Sequence, residues 1–247
     1  MSLADNIARV QDRIARSCVR ARRDPATVTL VAISKTFSAE AVIEAYRLGL
    51  RDFGENRVEE AEEKISNVKG QISNPHSKVP SPRSEIAWHL VGHLQGRKAR
   101  EAVELFDVTH SVDSVKLAVR LSRLCVEVGR VMPVLLECNV SGEASKYGFR
   151  VTNAAERDAW LPQVESMLVL PGLRVEGLMT VAPMAADPND AQPHFQALSE
   201  LRDHLRVRLP QSDWPHLSMG MTDDFEVAIE QGATLVRIGR AIFGERQ

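Results

Sequence analysis

The sequence predicts an α/β fold, a single (β/α)8 TIM barrel. Eight short apolar segments, each typical of a buried strand, alternate with amphipathic segments of helical period, a pattern typical of a parallel sheet covered by helices. Eight such units fit a 247-residue chain that closes into one barrel. An open doubly wound sheet is the alternative, but its first strand is normally followed by a Gly-rich turn. Here that turn reads SKTFSA, without glycine.

The elements follow from hydrophobic spacing. The first helix is indicated by Ile7, Val10, Ile14 and Cys18, which recur every three to four residues. The strands are apolar runs rich in Val, Ile and Leu, and we predict them at residues 28–34, 51–55, 86–93, 107–112, 132–140, 173–180, 215–220 and 234–239. Amphipathic periodicity predicts the intervening helices at about 38–48, from 56, 96–105, 113–129, 153–167, 190–209 and 223–230.

We expect one domain over residues 1–247, with an insertion at 66–85. That stretch has three prolines, five serines and little apolar content, which is typical of a flexible surface loop or a helix extension. A basic partner-binding segment is the alternative. No internal repeat or linker is evident.

Composition excludes several classes of protein. The net charge is −2, with 31 basic and 33 acidic residues, so no general field attracts nucleic acid. No apolar run approaches the roughly 20 residues that cross a bilayer, and the amphipathic start lacks the apolar core of a signal peptide. Three scattered cysteines provide neither a disulfide framework nor a CxxC metal site. We expect a cytoplasmic protein, and a lone barrel is compatible with a monomer.

Barrel enzymes bind ligands at the carboxyl ends of their strands. Polar and small residues follow the predicted strands there, namely Lys35, Glu55, Asn56, His93, His110, Ser111, Asn139, Ser141, Met179, Thr180, residues 218–222, Gly239 and Arg240.

Two features of this rim indicate a cofactor with an aldehyde and a phosphate. Lys35 follows an apolar strand, where a lysine amine can form a Schiff base. Gly220 and Gly239 lie in the last two loops, the usual phosphate position in barrels, and Asp223 there is spaced for a capping box with Glu226. Pyridoxal phosphate (PLP) fits both features, and Arg237 is a candidate to face its ring nitrogen. A lysine that extends into solvent and two simple tight turns are the alternatives, and spacing alone leaves the choice open.

Motifs along nearly the whole chain resemble the pyridoxal phosphate homeostasis protein family, also called YggS/PROSC. They are AISKTFSAEAVIEAYRLGLRDFGENRVEEAEEKI, WHLVGHLQGRKAR, NVSGEASKYGF, GLMT and LSMGMTDDFEVAIEQGATLVRIGRAIFG, in that order. The resemblance implies a barrel of the alanine racemase N-terminal type, the fold type III of PLP proteins. It also implies a PLP-binding protein of intracellular vitamin B6 homeostasis, a carrier or buffer that affects amino-acid and keto-acid balance.

The resemblance also implies site residues. Lys35 of SKT matches the lysine that holds PLP covalently. The other matched positions are Asn56 near the ring, Ser218, Met219, Gly239 and Arg240 at the phosphate, Arg237 near the cofactor and Lys146 at the rim, with Met179 and Gly220 as further candidates. Two departures are Thr222, where the family usually has serine, and Gly96-Arg97, where a Ser/Thr-Asn pair is frequent.

Other candidate chemistries are weaker. His89 and His93 lack the HExxH glutamate and lie on a strand, so barrel lining or rim is favoured over zinc. Cys138 lies in an apolar strand and is interpreted as core, and helix capping accounts for Asp223 and Asp224 better than a metal does.

Two classes of function remain. A non-catalytic PLP carrier, which passes the cofactor transiently to apoenzymes, is favoured. A PLP-dependent amino-acid racemase or decarboxylase is the alternative. Related barrel enzymes add a β-rich domain, for which we expect no room after AIFGERQ, and no second acid or base is evident across the ring.

Overall fold

The structure, a computed structural model, describes residues 2–72 and 86–245. Its strands are β1 (Thr29–Ile33), β2 (Asp52–Glu55), β3 (Ala87–Leu90), β4 (Val108–Val112), β5 (Met132–Asn139), β6 (Phe149–Arg150), β7 (Leu173–Met179), β8 (His216–Ser218) and β9 (Leu235–Ile238).

Eight of these strands close a parallel barrel. The order is β1-β2-β3-β4-β5-β7-β8-β9, and β9 pairs with β1 to complete the ring. The predicted barrel and its eight strands are confirmed. The additional strand β6, which pairs with β5, was not predicted, because two residues are too few to show a period.

The helices cover the outside of the barrel. They are α1 (Leu3–Arg20), α2 (Ala39–Arg47), α3 (Val58–Ile72), α4 (Ala99–Leu105), α5 (Val115–Glu127), α6 (Ala154–Leu168), α7 (Gln192–Arg208), α8 (Phe225–Glu230) and α9 (Arg240–Phe243). Serine or asparagine side chains cap α1, α2, α5 and α6, as expected at helix starts.

Two predictions about local structure need comment. Residues 66–72 form the end of α3, a helix extension, whereas the rest of the predicted insertion, 73–85, lies outside the described residues. The capping box predicted for Asp223 and Glu226 is wrong: Asp223 pairs with Arg240 and Glu226 with Arg13. These ion pairs draw both carboxylates away from the start of α8.

Apolar side chains form two cores. A large core lies between the sheet and the helices, whereas a small one lies inside the barrel and contains Val31, Ile33, Leu135, Met179 and Leu235. Side chains of a strand alternate between these cores. The barrel interior is only partly apolar, because polar side chains such as His89, His110 and Arg237 are also buried there. Within the described part of the chain, no helix is long and apolar enough to cross a membrane.

Candidate cofactor site

Lys35 lies in a tight turn at the mouth of the barrel. It follows β1 by two residues and is half-buried. The Phe37 amide donates to the Ser34 carbonyl at 3.1 Å, and Thr36 has a φ of 68°. A threonine rarely adopts that left-handed conformation, which costs about 1–3 kcal/mol and persists only where its surroundings enforce it. The turn therefore has a specific shape that sets the direction of Lys35.

A second lysine, Lys64, braces the base of this turn from α3. Its Nζ donates to the Ser34 carbonyl and to Glu55 Oε1, both at 2.7 Å, and the Ser34 hydroxyl also donates to Glu55 Oε1 at 2.7 Å. Lys64 is 9% exposed and Glu55 is fully buried, and burial raises the pKa of Glu55. Because a buried charge needs a partner, this pair joins α3 and β2 to the Lys35 turn.

Sequence reasoning missed Lys64, although a signal was present. Ala61, Ile65 and Val68 form the buried stripe of α3, and Lys64 occupies a position on the same stripe. A lysine at a core position of an amphipathic helix requires a buried partner, and Glu55 is that partner.

Lys35 shares a cavity with the last loop of the barrel. The cavity measures about 360 Å³ and is lined by Lys35, Phe37, Gly239, Arg240 and neighbouring residues of both loops. A Cβ on Gly239 would lie 3.1 Å from the carbonyl oxygen of Ile33, so the backbones approach closely here. Two regions that are far apart in sequence, and that were predicted to belong to one site, are thus brought together.

Arg237 lies buried on β9, inside the barrel. It is 5% exposed and donates through Nη1 to Ser218 Oγ at 2.7 Å and through Nη2 to the Thr180 carbonyl at 2.9 Å. Burial lowers the pKa of Arg237 to about 10, so the guanidinium stays protonated at neutral pH. It can donate hydrogen bonds but cannot accept them.

The loop after β8 is built around a glycine. Gly220 has a φ of 91°, and a Cβ there would lie 2.8 Å from Phe225 Cα, so only glycine fits. The Met219 amide donates to the Leu235 carbonyl, and the Ser218 hydroxyl contacts Arg237 and His110. The roles predicted for Ser218 and Met219 at a phosphate stay predictions, and the Ser218 side chain faces the barrel interior.

Arg240 separates the Lys35 cavity from a larger one. The second cavity measures about 460 Å³ and is lined by residues 182–188, residues 221–224 and Arg240. Arg240 Nη2 lies 2.7 Å from Asp223 Oδ2. Thr222, which is expected at the rim among residues 218–222 and departs from the family motif, also lines this cavity. It was not predicted as a phosphate ligand, because hydroxyl residues are common in loops.

The remaining predicted residues surround the mouth. Lys146 donates to the Val181 carbonyl at 2.9 Å and pairs with Glu143 at 2.6 Å. Asn56 follows β2 and its carbonyl contacts Gly92 closely. Met179 is 1% exposed and belongs to the interior core.

Glu137 is a titratable group that sequence reasoning missed. It lies on β5 and lines a cavity of about 210 Å³ with Lys146 and Tyr147. Burial and the neighbouring Asp113 raise the pKa of Glu137 to about 7, whereas Arg237 opposes the shift. A carboxyl that titrates near neutral pH can act as an acid or base. The inward alternation of β5 was the available signal.

The helix capping expected of Asp223 and Asp224 is wrong, because neither side chain caps the start of α8. His89 lines the barrel interior and His93 lies at the rim, 2.9 Å from Asp113. Cys138 is buried, and burial raises the pKa of its thiol well above the usual range, so it packs rather than reacts. Residues 2–72 and 86–245 contain no group of three or more His, Cys, Asp or Glu side chains that could hold a metal ion.

Comparison with known proteins agrees with this geometry. The alanine racemase N-terminal domain family matches residues 2–247. The pyridoxal phosphate homeostasis protein of Aquifex aeolicus is 38% identical over 247 residues, 100% of both chains. The protein of the same name from Pseudomonas aeruginosa is 42% identical and covers 99% of this chain and 96% of its own length.

Solved structures resemble the barrel closely. PipY of Synechococcus elongatus PCC7942, solved with PLP bound, superposes with a TM-score of 0.78 at 35% identity and covers 98% of this chain and 100% of its own. Alanine racemase of Clostridium difficile 630 has a TM-score of 0.66 at 13% identity, and 57% of its chain is covered, so it supports the fold alone. The chain belongs to the pyridoxal phosphate homeostasis protein family, within the alanine racemase N-terminal domain family.

Proposed function

We propose that this protein binds PLP on Lys35 and carries the cofactor in intracellular vitamin B6 homeostasis. The observation that carries the proposal is the single cavity lined by Lys35, Gly239 and Arg240. It offers an amine for the aldehyde, as a Schiff base, and a glycine turn where a phosphate can approach the backbone. The PLP-bound PipY structure supports the cofactor assignment.

Arg237 suits the nitrogen of the cofactor ring. A guanidinium that stays protonated only donates, so the group that faces it must accept. The ring nitrogen would therefore stay unprotonated, and an unprotonated ring withdraws electrons weakly.

The phosphate is best assigned to Gly239 and Arg240, with Thr222 as a further donor. The Ser218 hydroxyl and the Met219 amide already have partners, so neither is open to it in this arrangement. Arg240 is half-exposed and paired with Asp223, and a bound phosphate would compete with that carboxylate for the guanidinium.

A second candidate function is amino-acid turnover, as racemase or decarboxylase, and Glu137 is the observation that favours it. With a pKa near 7, this carboxyl meets the requirement for a proton donor at the mouth. The homeostasis names of the curated relatives favour the carrier instead. We propose apoenzymes that depend on PLP as transient recipients.

One pair of assays separates the two functions. Holoprotein is mixed with a PLP-dependent apoenzyme and, in parallel, with single-enantiomer amino acids. The carrier reading predicts activation of the apoenzyme, and racemisation no faster than in the Glu137→Gln variant. Turnover that depends on Glu137, without activation of the apoenzyme, would overturn the carrier reading in favour of an enzyme.

A further inference from the structure

A file of hydrogen-bonded side chains crosses the barrel interior beneath Arg237. His89 Nε2 lies 3.1 Å from Asp52 Oδ1, and His89 Nδ1 lies 2.9 Å from His110 Nε2. His110 Nδ1 lies 2.9 Å from Ser218 Oγ, which accepts from Arg237 Nη1 at 2.7 Å. These five residues are named the histidine file. We infer that its other four members position Arg237 and couple the surroundings of Arg237 to the protonation of His89.

The register of five strands, β2, β3, β4, β8 and β9, assembles the file. Asp52 begins β2 at the amino-terminal end of the barrel, where its side chain is 30% exposed. His89, His110, Ser218 and Arg237 are each 5% exposed or less. The rings of His89 and His110 meet edge to face, with an interplanar angle of 85°. The file therefore runs from a partly exposed carboxylate at the base of the barrel to a buried arginine near the mouth.

The two ends of the file fix the direction of donation. Arg237 can only donate, and the Asp52 carboxylate can only accept. Burial, with the nearby charges of His89, Arg237 and His216, holds the pKa of His110 well below its usual range, so His110 is neutral. If His89 is neutral too and donates from Nε2 to Asp52, its Nδ1 must accept from His110 Nε2.

The hydroxyl of Ser218 links Arg237 to His110. A neutral His110 that donates from Nε2 has a bare Nδ1, which must receive the Ser218 proton. Donation then runs from Arg237 to Ser218, His110, His89 and Asp52 without a break. Both histidines are Nε2–H tautomers, and the Ser218 oxygen is held as an acceptor for Arg237.

One proton reverses the inner part of this file. When His89 is an imidazolium, its Nδ1 donates to His110 Nε2, and His110 becomes the Nδ1–H tautomer that donates to Ser218. The file gains one proton from solvent, and the resulting positive charge lies on His89, next to the Asp52 carboxylate. Ser218 then accepts from both Arg237 and His110, and its own hydrogen needs a new acceptor.

This reversal links the mouth to His89. An acceptor that binds within reach of Ser218 would receive the released hydroxyl hydrogen and would stabilise the protonated file. By linkage, protonation of His89 strengthens the binding of that acceptor by the same factor. His89 and His110 are positioning residues here, since they act through Ser218 and Arg237. If PLP is the ligand, as proposed above, its affinity would depend on the state of the file.

The test uses the full chain without cofactor, so it does not depend on the proposed function. Protein labelled with ¹⁵N on histidine is studied by long-range ¹H–¹⁵N NMR, which identifies tautomers directly. At neutral pH we expect Nε2–H tautomers for both His89 and His110. On acidification, His110 should change to the Nδ1–H tautomer at the same pH at which His89 becomes doubly protonated. An Nδ1–H tautomer of either residue at neutral pH, or independent transitions, would overturn the inference.

Variants separate the file from simple packing. Ser218→Thr retains the hydroxyl and should retain the Nε2–H tautomers of His89 and His110. Ser218→Ala removes the hydroxyl, so His110 should lose its preference for the Nε2–H tautomer. His216→Gln is the matched control, because His216 lies nearby but bonds Thr234 instead and should leave the tautomers unchanged. If His110 in Ser218→Ala keeps the tautomer that it has in the wild type, the Ser218 hydroxyl does not set the tautomer of His110. If that variant does not fold, the wild-type titration still decides.

Discussion

Lys35 and Lys64 both lie next to Ser34, but they differ in burial: Lys35 is half-buried at the barrel mouth, whereas Lys64, on α3, is buried. Lys64 reaches Ser34 from α3, is 9% exposed, and has an ion pair with Glu55 and a hydrogen bond to the Ser34 carbonyl. Lys35 is half-buried and lines a cavity of about 360 Å³ at the barrel mouth. Lys64 therefore has a structural role, whereas Lys35 is accessible to a ligand.

The difference shows how one barrel uses the same side chain for two purposes. A buried ammonium is retained only with a partner of opposite charge, which leaves it no capacity to react with an aldehyde. The half-buried lysine keeps water and ligand access, while the Lys64 network holds its backbone. We therefore interpret Lys64 as the support and Lys35 as the reactive amine.

Replacing each lysine should change the stability of the protein by a different amount, and the larger loss is expected at Lys64. Lys64→Met leaves Glu55 buried without a cation, so we expect the free energy of unfolding to fall by about 3–5 kcal/mol. Urea denaturation monitored by circular dichroism measures it. Lys35→Met is the matched control, with an expected loss of about 1 kcal/mol or less, because Lys35 is only half-buried at the barrel mouth.

The double variant Lys64→Met/Glu55→Gln sharpens the same test. Removing both charges should restore a large part of the stability lost in Lys64→Met, because no carboxylate is left uncompensated. If the Lys64→Met and Lys35→Met variants lose the same free energy of unfolding, the assignment of Lys64 as the structural lysine and Lys35 as the reactive amine would be refuted.

Two carboxyls extend the comparison. Both Glu55 and Glu137 have a buried Oε2 with no hydrogen-bond partner among the described residues, but Glu55 is paired with Lys64 through its other oxygen. The folded-state pKa of Glu137 is raised from 4.5 to about 7. Its stabilising contribution is therefore complete below pH 4.5 and is lost as the pH rises toward 7.

This pH dependence is the next largest effect. Because Glu137→Gln stays neutral, the wild type should lose stability relative to the variant by on the order of 3 kcal/mol between pH 4.5 and 7. Paired urea titrations across that range measure the difference. A constant difference would show that the pKa of Glu137 is not raised, and would remove the observation that favours amino-acid turnover.

The barrel fold and the meeting of Lys35 with Gly239 could be predicted from local sequence patterns. Apolar runs such as 132–140 and the helical stripe of α1 identify elements without knowledge of their partners, because burial of one face sets the period. Lys35 and Gly239 were predicted to meet because the carboxyl ends of parallel strands share one end of the barrel.

What could not be predicted depends on register and on buried pairs. The period of a strand shows that His89 and His110 can face inward, but only the stagger between β3 and β4 brings their nitrogens to 2.9 Å. Likewise, Glu55 appeared to belong to the rim, and only the packing of α3 shows that it pairs with Lys64. Such contacts join distant residues and leave no local pattern.

Hydride reduction of the PLP-loaded protein, followed by peptide mapping, identifies the lysine that binds the cofactor. Reduction fixes a Schiff base permanently to the lysine that formed it. We predict one cofactor adduct, on Lys35, which disappears in Lys35→Met and persists in Lys146→Met. An adduct that remains in Lys35→Met at wild-type yield, or that maps to Lys64 or Lys146 in the wild type, would contradict the account.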